Sequence, residues 1–156
     1  MSLNRYERKK NIPLALRSFA EYLTQFKPKA IEPLLVVAGG YDPRVLENIE
    51  HQLELAALAK QLGISDKVCF LRSISNDQRL LLLKNTSVLL YTPENEHFGI
   101  VPVEAMHLGC VVVACNSGGP LESIEDQQTG YLLEPNPTLW AEKINRILED
   151  KLEVDD

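Results

Sequence analysis

Cysteine is scarce: three among 156 residues, with no CxxC pair. Cys69, Cys110 and Cys115 each sit in an apolar stretch, and the three histidines are scattered. That excludes a disulfide framework and a zinc site, and reads the cysteines as buried small hydrophobes. No apolar run approaches the ~20 residues that cross a bilayer; the longest include Leu34–Ala38 and Cys110–Cys115. The N-terminus is polar and basic, which is not the pattern of a signal peptide. Basic residues number 16 against 22 acidic, for a net charge of -6. An acidic chain of this kind does not bind nucleic acid generally, because phosphate contacts need a basic face. GxGxxG and GxxxxGK[ST] are both missing, which excludes a dinucleotide fingerprint and a P-loop.

What is present is an ordinary globular composition, 45% hydrophobic and 24% charged. The length suits one domain that buries roughly 70% of its unfolded surface. Short β-branched runs alternate with longer helical patterns, the signature of βαβ units. Residues 1–4 read as the tail of a strand, and Pro13 opens a helix to about Phe26. Leu34–Ala38 reads as a strand that ends at Gly39 and Gly40. A helix from Pro43 stops at Gly63, and Val68–Leu71 is a strand. Ser75 and Gln78 have capping-box spacing for a helix to about Asn85. Val88–Tyr91, Val111–Ala114 and Thr129–Leu133 read as strands. Helices are expected near Pro102 to Gly109 and over Thr138–Asp150. The fold class is therefore α/β: an open parallel Rossmann-like sheet with helices on both faces. Such sheets bind ligands in the crevice at the carboxyl ends of their strands.

Charge is distributed unevenly. Residues 1–17 hold Arg5, Arg8, Lys9, Lys10 and Arg17 against Glu7 alone, while residues 122–156 hold ten acids. The basic cluster is either a solvated helix start or an anion site, with Arg forking onto phosphate oxygens and Lys adding a point charge. The segment Tyr91–Met106 runs from a strand end through a polar loop into a helix. Glu96 lies in its loop and Glu104 a turn inside its helix. The helix start offers free amides at Gly99, Ile100 and Val101 to an anion. Two carboxylates accept hydroxyls on either side of it, a pattern suited to a nucleotide-sugar. Paired glutamates also occur as glycosidase acid and base. Gly39–Asp42 and Ser117–Pro120 are tight turns or close ligand approaches. His97, beside Phe98, has the place of a general base, but no nucleophile motif accompanies it. His107 reads as packed or solvated, and Trp140, with Ile144 and Ile147, as the docking face of the last helix.

Together these residues resemble the C-terminal domain of a two-domain, retaining, family 4 glycosyltransferase of the GT-B fold. Glu96 and Glu104, with seven residues between them, match the family's paired glutamates. Arg5 and Lys10 match its basic pair, and the loops at 39–40 and 117–120 fall in family order. Asn4–Asn11, Glu94–Met106 and Asn116–Ile124 are most similar to the eukaryotic α-1,3/1,6-mannosyltransferases of dolichol-linked oligosaccharide assembly. The resemblance implies a GDP-mannose donor, a dolichol-diphosphate-linked oligosaccharide acceptor, retention, and neither metal nor cofactor. It implies that Arg5 and Lys10 hold the diphosphate with the Gly99 and Ile100 amides, and that Glu104 binds the ribose. Glu96 would be the catalytic carboxylate on the mannose, with Gly39, Gly40, His97, Phe98 and Val101 lining the donor site. Backbone at Arg72 and Ser73 would meet the guanine. Residues 1–150 would form the donor domain and 151–156 an acidic tail, with the acceptor-binding N-terminal domain outside the chain. The chain alone would be soluble and nearly inactive, and the whole protein would work at the cytosolic face of the endoplasmic reticulum. The alternatives are another family 4 transferase with a different nucleotide-sugar, or a non-catalytic nucleotide-binding module.

Overall fold

Every expected β-branched run forms a strand, and all strand pairings are parallel, in the computed structural model, which describes residues 1–155. The strands are β1 (Ser2–Leu3), β2 (Leu35–Gly39), β3 (Val68–Arg72), β4 (Val88–Tyr91), β5 (Val111–Cys115) and β6 (Tyr131–Leu133). Helices α1 (Ile12–Phe26), α2 (Leu46–Gln61), α3 (Asn76–Lys84), α4 (Ile100–His107) and α5 (Pro120–Ser123) alternate with them, and α6 (Pro137–Asp155) closes the order. Ladders join β1-β2-β3 and β4-β5-β6. Met1 stitches the two halves: its nitrogen donates to the Val88 carbonyl at 2.8 Å, and its carbonyl accepts from Leu90 N–H at 2.8 Å. The strand order is therefore β3-β2-β1-β4-β5-β6, and it reverses direction between β1 and β4. That is the doubly wound arrangement with its ligand crevice at the switch point.

Side chains alternate across the sheet, as a period of two requires. Leu35, Val37, Val88, Leu90, Val113 and Cys115 point into a core with α1, α2 and α6. Ala38, Leu89, Tyr91, Val112 and Ala114 point into a second core, which takes Leu83 from α3 and Ala105 from α4. Both faces are covered, which is why the strands are continuously apolar. In α1, Leu14, Leu16, Phe19 and Ala20 are buried as their spacing predicts. Trp140 is fully buried with Ile144 and Ile147 beside it, and its indole N–H donates to the Glu134 carbonyl at 2.7 Å. The capping box at α3 is complete: Gln78 N–H donates to Ser75 Oγ, and Ser75 N–H donates to Gln78 Oε1.

Some expectations shift. Leu34 lies before β2 and is 59% exposed. Helix α2 starts at Leu46, not Pro43, because residues 42–45 form a turn: Val45 N–H donates to the Asp42 carbonyl. Its buried line is Asn48, His51, Leu55 and Ala59, so Leu53 and Leu46 face outward. Asn48 earns burial through two hydrogen bonds, accepting from Asp42 N–H and donating to the Tyr6 carbonyl. Cys69 is half-buried, unlike Cys110 and Cys115. The short helix α5 escapes the sequence pattern because it is a single turn begun by Pro120. Helix α6 runs through Asp155, since neither glycine nor proline interrupts 151–155 and an Arg146–Asp150 pair supports it. Among the described residues no helix is long and apolar enough to cross a membrane.

Burial pushes the Cys115 thiol up to about 12 and raises that of Cys110. Thiolate is the reactive form, so iodoacetamide at pH 8 should label Cys69 first and reach Cys110 and Cys115 only after unfolding, as peptide mass mapping will show. Trp140→Ala should lower stability by about 3–5 kcal/mol in urea denaturation, the cost of emptying a large aromatic site.

Candidate functional site

Three loops leave the carboxyl ends of β1, β2 and β4 on the same side of the sheet. After β1, Arg5 is exposed and Tyr6 is fully buried. The Tyr6 hydroxyl lies 2.8 Å from the Leu71 carbonyl and 3.0 Å from that of Val37, which anchors the loop across β2 and β3. A single 3-10 turn then spans Arg8–Lys10. Arg8 donates to Glu50 and Glu54 of α2, and the guanidinium holds the Glu54 carboxyl down at about 2. Lys9 pairs with Glu7. The basic cluster is thus mostly spent within the fold. Arg8 pins the turn to α2, while Lys10 Nζ reaches across the switch point to Glu96 Oε1 at 2.9 Å.

Glu96 comes from the loop after β4. Thr92, fully buried at the start of that loop, donates its hydroxyl to the Lys10 carbonyl at 2.7 Å and ties the two loops together. The loop after β5 holds Glu96 from the other side. Gly119 N–H donates to the Glu96 carbonyl at 2.7 Å, and Asn95 N–H donates to Ser117 Oγ at 3.0 Å. A Cβ on Gly118 would sit 2.3 Å from that same carbonyl, and one on Gly119 2.5 Å from the His97 carbonyl. Both glycines are required by close backbone packing, so the turn at 117–120 shapes the Glu96 loop directly. The Lys10 and Glu96 side chains are only 17% and 23% exposed, so their attraction is screened less than that of a surface pair.

The Gly39–Gly40 turn packs equally closely. A Cβ on Gly39 would overlap the Asn4 carbonyl at 1.7 Å, and one on Gly40 would lie 3.3 Å from Arg5 Cγ. The turn therefore supports the Arg5 side chain. Beyond it, Ser73 adopts a left-handed backbone with φ 48°. Its hydroxyl links both backbone polar groups of Tyr41, and the Arg72 guanidinium lies 4.2 Å over the Tyr41 ring. Arg5, Gly39, Gly40 and Ser73 line one open cleft of ≈ 570 Å³, together with Val101 and Arg79.

Helix α4 begins at Gly99 with no side chain capping its first turn. A Cβ on Gly99 would meet the Tyr91 hydroxyl at 2.7 Å, so a larger residue there would displace the end of that side chain. Glu104, inside α4, accepts from Arg79 of α3 at 3.3 Å. His97, Phe98 and Ile100 are exposed around the helix start. His107 is exposed at the far end of α4, the solvated of its two expected places. Thr92 and Arg79 were not singled out by sequence. Thr92 carried a hint in being polar directly after an apolar strand; Arg79, on an ordinary helix surface position, carried none. What the arrangement offers is two carboxylates, each matched by a cation, and a cleft lined by Arg5, which forms no ion pair among the described residues.

Comparison with known proteins places the chain. The family model for glycosyl transferases group 1 matches residues 1–156. The human protein named Alpha-1,3/1,6-mannosyltransferase ALG2 is 49% identical over 96% of this chain and 36% of its own length. The protein of that name from Saccharomyces cerevisiae is 41% identical over 93% of this chain and 34% of its own length. The chain thus spans about a third of the curated relatives it matches. Among solved structures, a sucrose-phosphate synthase from Thermosynechococcus elongatus superposes with a TM-score of 0.83 at 26% identity, covering 96% of this chain and 36% of that one. The C-terminal domain of a group 1 glycosyl transferase (LpcC) from Francisella tularensis gives 0.80 at 24% identity, covering 96% and 75%; at that identity the likeness is one of fold. On the match along its whole length, this chain belongs to the group 1 glycosyl transferases.

Proposed function

We propose that the chain is the donor-binding domain of a retaining mannosyltransferase, moving mannose from GDP-mannose to a dolichol-diphosphate-linked oligosaccharide. The whole enzyme would act at the cytosolic face of the endoplasmic reticulum. The observation that carries the reading is the Lys10–Glu96 pair at the switch point, in a chain half identical to a mannosyltransferase. Lys10 and Arg5 hold the donor diphosphate, helped by the amides of Gly99 and Ile100. Positive charge there stabilises the leaving group as the bond from the sugar carbon to phosphate oxygen breaks. Glu96 takes the mannose hydroxyls and steadies the positive charge that grows on that carbon. A new bond forms to the acceptor hydroxyl on the same face, and its proton leaves with GDP. Glu104 receives the ribose hydroxyls, and backbone at Arg72 and Ser73 meets the guanine. His97, Phe98 and Val101 flank the donor. A second domain orients the acceptor, a contribution worth ~7–11 kcal/mol of barrier in well-oriented reactions, so residues 1–156 alone should turn over little.

Calorimetric titration with GDP, GDP-mannose, UDP and UDP-glucose tests the donor. Guanosine ligands should bind, and Lys10→Ala or Arg5→Ala should weaken them about 10- to 100-fold, the value of a charge-assisted hydrogen bond. Equal binding of uridine ligands overturns the guanine assignment. Glu96→Gln should not weaken GDP binding, since GDP lacks mannose and the change frees Lys10 from its ion pair. In the full-length enzyme it should lower transfer to a lipid-linked acceptor by at least about 100-fold, as loss of a transition-state charge partner does. Unchanged transfer would remove Glu96 from the chemistry.

A further inference from the structure

Arg79 has no place in the mechanism above, yet it stands on the wall of the donor cleft. It lies one turn into α3, whose start is fixed by the capping box at Ser75 and Gln78. The Arg79 N–H closes the first helical hydrogen bond, to the Ser75 carbonyl. Its side chain crosses to α4 and donates from Nη2 to Glu104 Oε1 at 3.3 Å. Both side chains are mostly withdrawn from solvent, at 29% and 23% exposure. Two of their polar atoms are shielded from solvent and have no hydrogen-bond partner: Arg79 Nε and Glu104 Oε2. A buried donor and a buried acceptor left unmatched are costly in a resting fold. They belong to one bridged pair, of which Arg79 lines the cleft that also holds Arg5 and Ser73.

A group that answers both needs at once must donate and accept. A hydroxyl does so, and a vicinal pair of hydroxyls does so at two points. We infer that Arg79 is a positioning residue that fixes the Glu104 carboxylate for recognition of a vicinal diol, the ribose of the nucleoside diphosphate. The inference rests on the donor-site reading of Glu104 proposed above. It adds that Glu104 alone is insufficient. Without Arg79, a carboxylate in this half-buried place loses its only described cation and turns toward water. Discrimination for the diol then falls, while the diphosphate contacts at Arg5 and Lys10 remain.

The experiment is calorimetry on this chain with GDP and with 2′,3′-dideoxy-GDP, accompanied by thermal denaturation of each variant. The unaltered chain should prefer GDP by about tenfold or more, the value of a hydrogen bond to a charged group. Arg79→Ala and the near-isosteric Arg79→Gln should each shrink that preference to about twofold or less, with little loss for the dideoxy ligand. Glu104→Ala should do the same, and the double variant should lose nothing further, because the two act as one unit. Arg79→Lys should restore part of the preference by restoring the charge. The inference is overturned if Arg79→Gln keeps the full preference while Glu104→Ala abolishes it. It is overturned also if both ligands weaken alike, which marks a phosphate contact or a merely structural residue. If the unaltered chain binds the two ligands equally, or Glu104→Ala retains the preference, the reading of Glu104 itself falls and takes this one with it.

Discussion

The strands of the fold all run one way, so every loop that follows a strand emerges on the same edge of the sheet. The edge becomes a site only where two half-sheets meet. That meeting is narrow: β1 is two residues long, and Met1 supplies the backbone bonds to Val88 and Leu90 that join it to β4. On this junction depends the encounter of Lys10 from one half with Glu96 from the other. Shift β4 against β1 by one residue and the side chains of β4 exchange faces. Leu89 would then leave one core for the other, and the Thr92 bond to the Lys10 carbonyl would be lost with it.

The loops are held by backbone rather than by bulk. Gly39 against Asn4, Gly118 against Glu96 and Gly119 against His97 all bring main chain to main chain at distances that no Cβ allows. Around them, polar groups do the fastening: buried Tyr6 across two strands, Asn48 beneath the turn at 42–45 and Thr92 on Lys10, with exposed Ser73 on Tyr41. Each bonds a backbone group of another loop or strand. The result is a site whose charged side chains stand on a backbone with little room to move.

The course of the fold was legible because its signals are local. Period-two and period-3.6 patterns, a capping box and Gly-Gly turns all act within a few residues, and they placed the strands and five of the six helices. The Glu96 loop, Lys10 and the turn at 117–120 were legible as strand-end features, and the parallel topology brought them together. What escaped is what depends on partners far away in sequence. Nothing local at Arg8 announces that α2 will claim it, 39 to 46 residues on. Nothing at Arg79 announces Glu104. The positive cluster, read by composition, is either a solvated helix start or an anion site; in the fold it is a latch, a surface pair and a single reaching lysine.

Charge pairing gives the site its logic. Lys10 is matched by Glu96, and Glu104 by Arg79, so neither carboxylate stands uncompensated in a half-buried place where that would be costly. Sugar transfer separates charge, negative on the departing diphosphate and positive on the sugar carbon. In the proposed reading the arriving diphosphate draws Lys10 toward itself, joining Arg5, and leaves Glu96 short of a cation. The carbon that develops positive charge then supplies one. A single ion pair, parted by the donor, thereby offers a cation to the leaving group and an anion to the reacting carbon. At 2.9 Å in the resting fold, the two already face each other across the switch point, so the donor's charges replace an existing pairing rather than meeting unpaired groups.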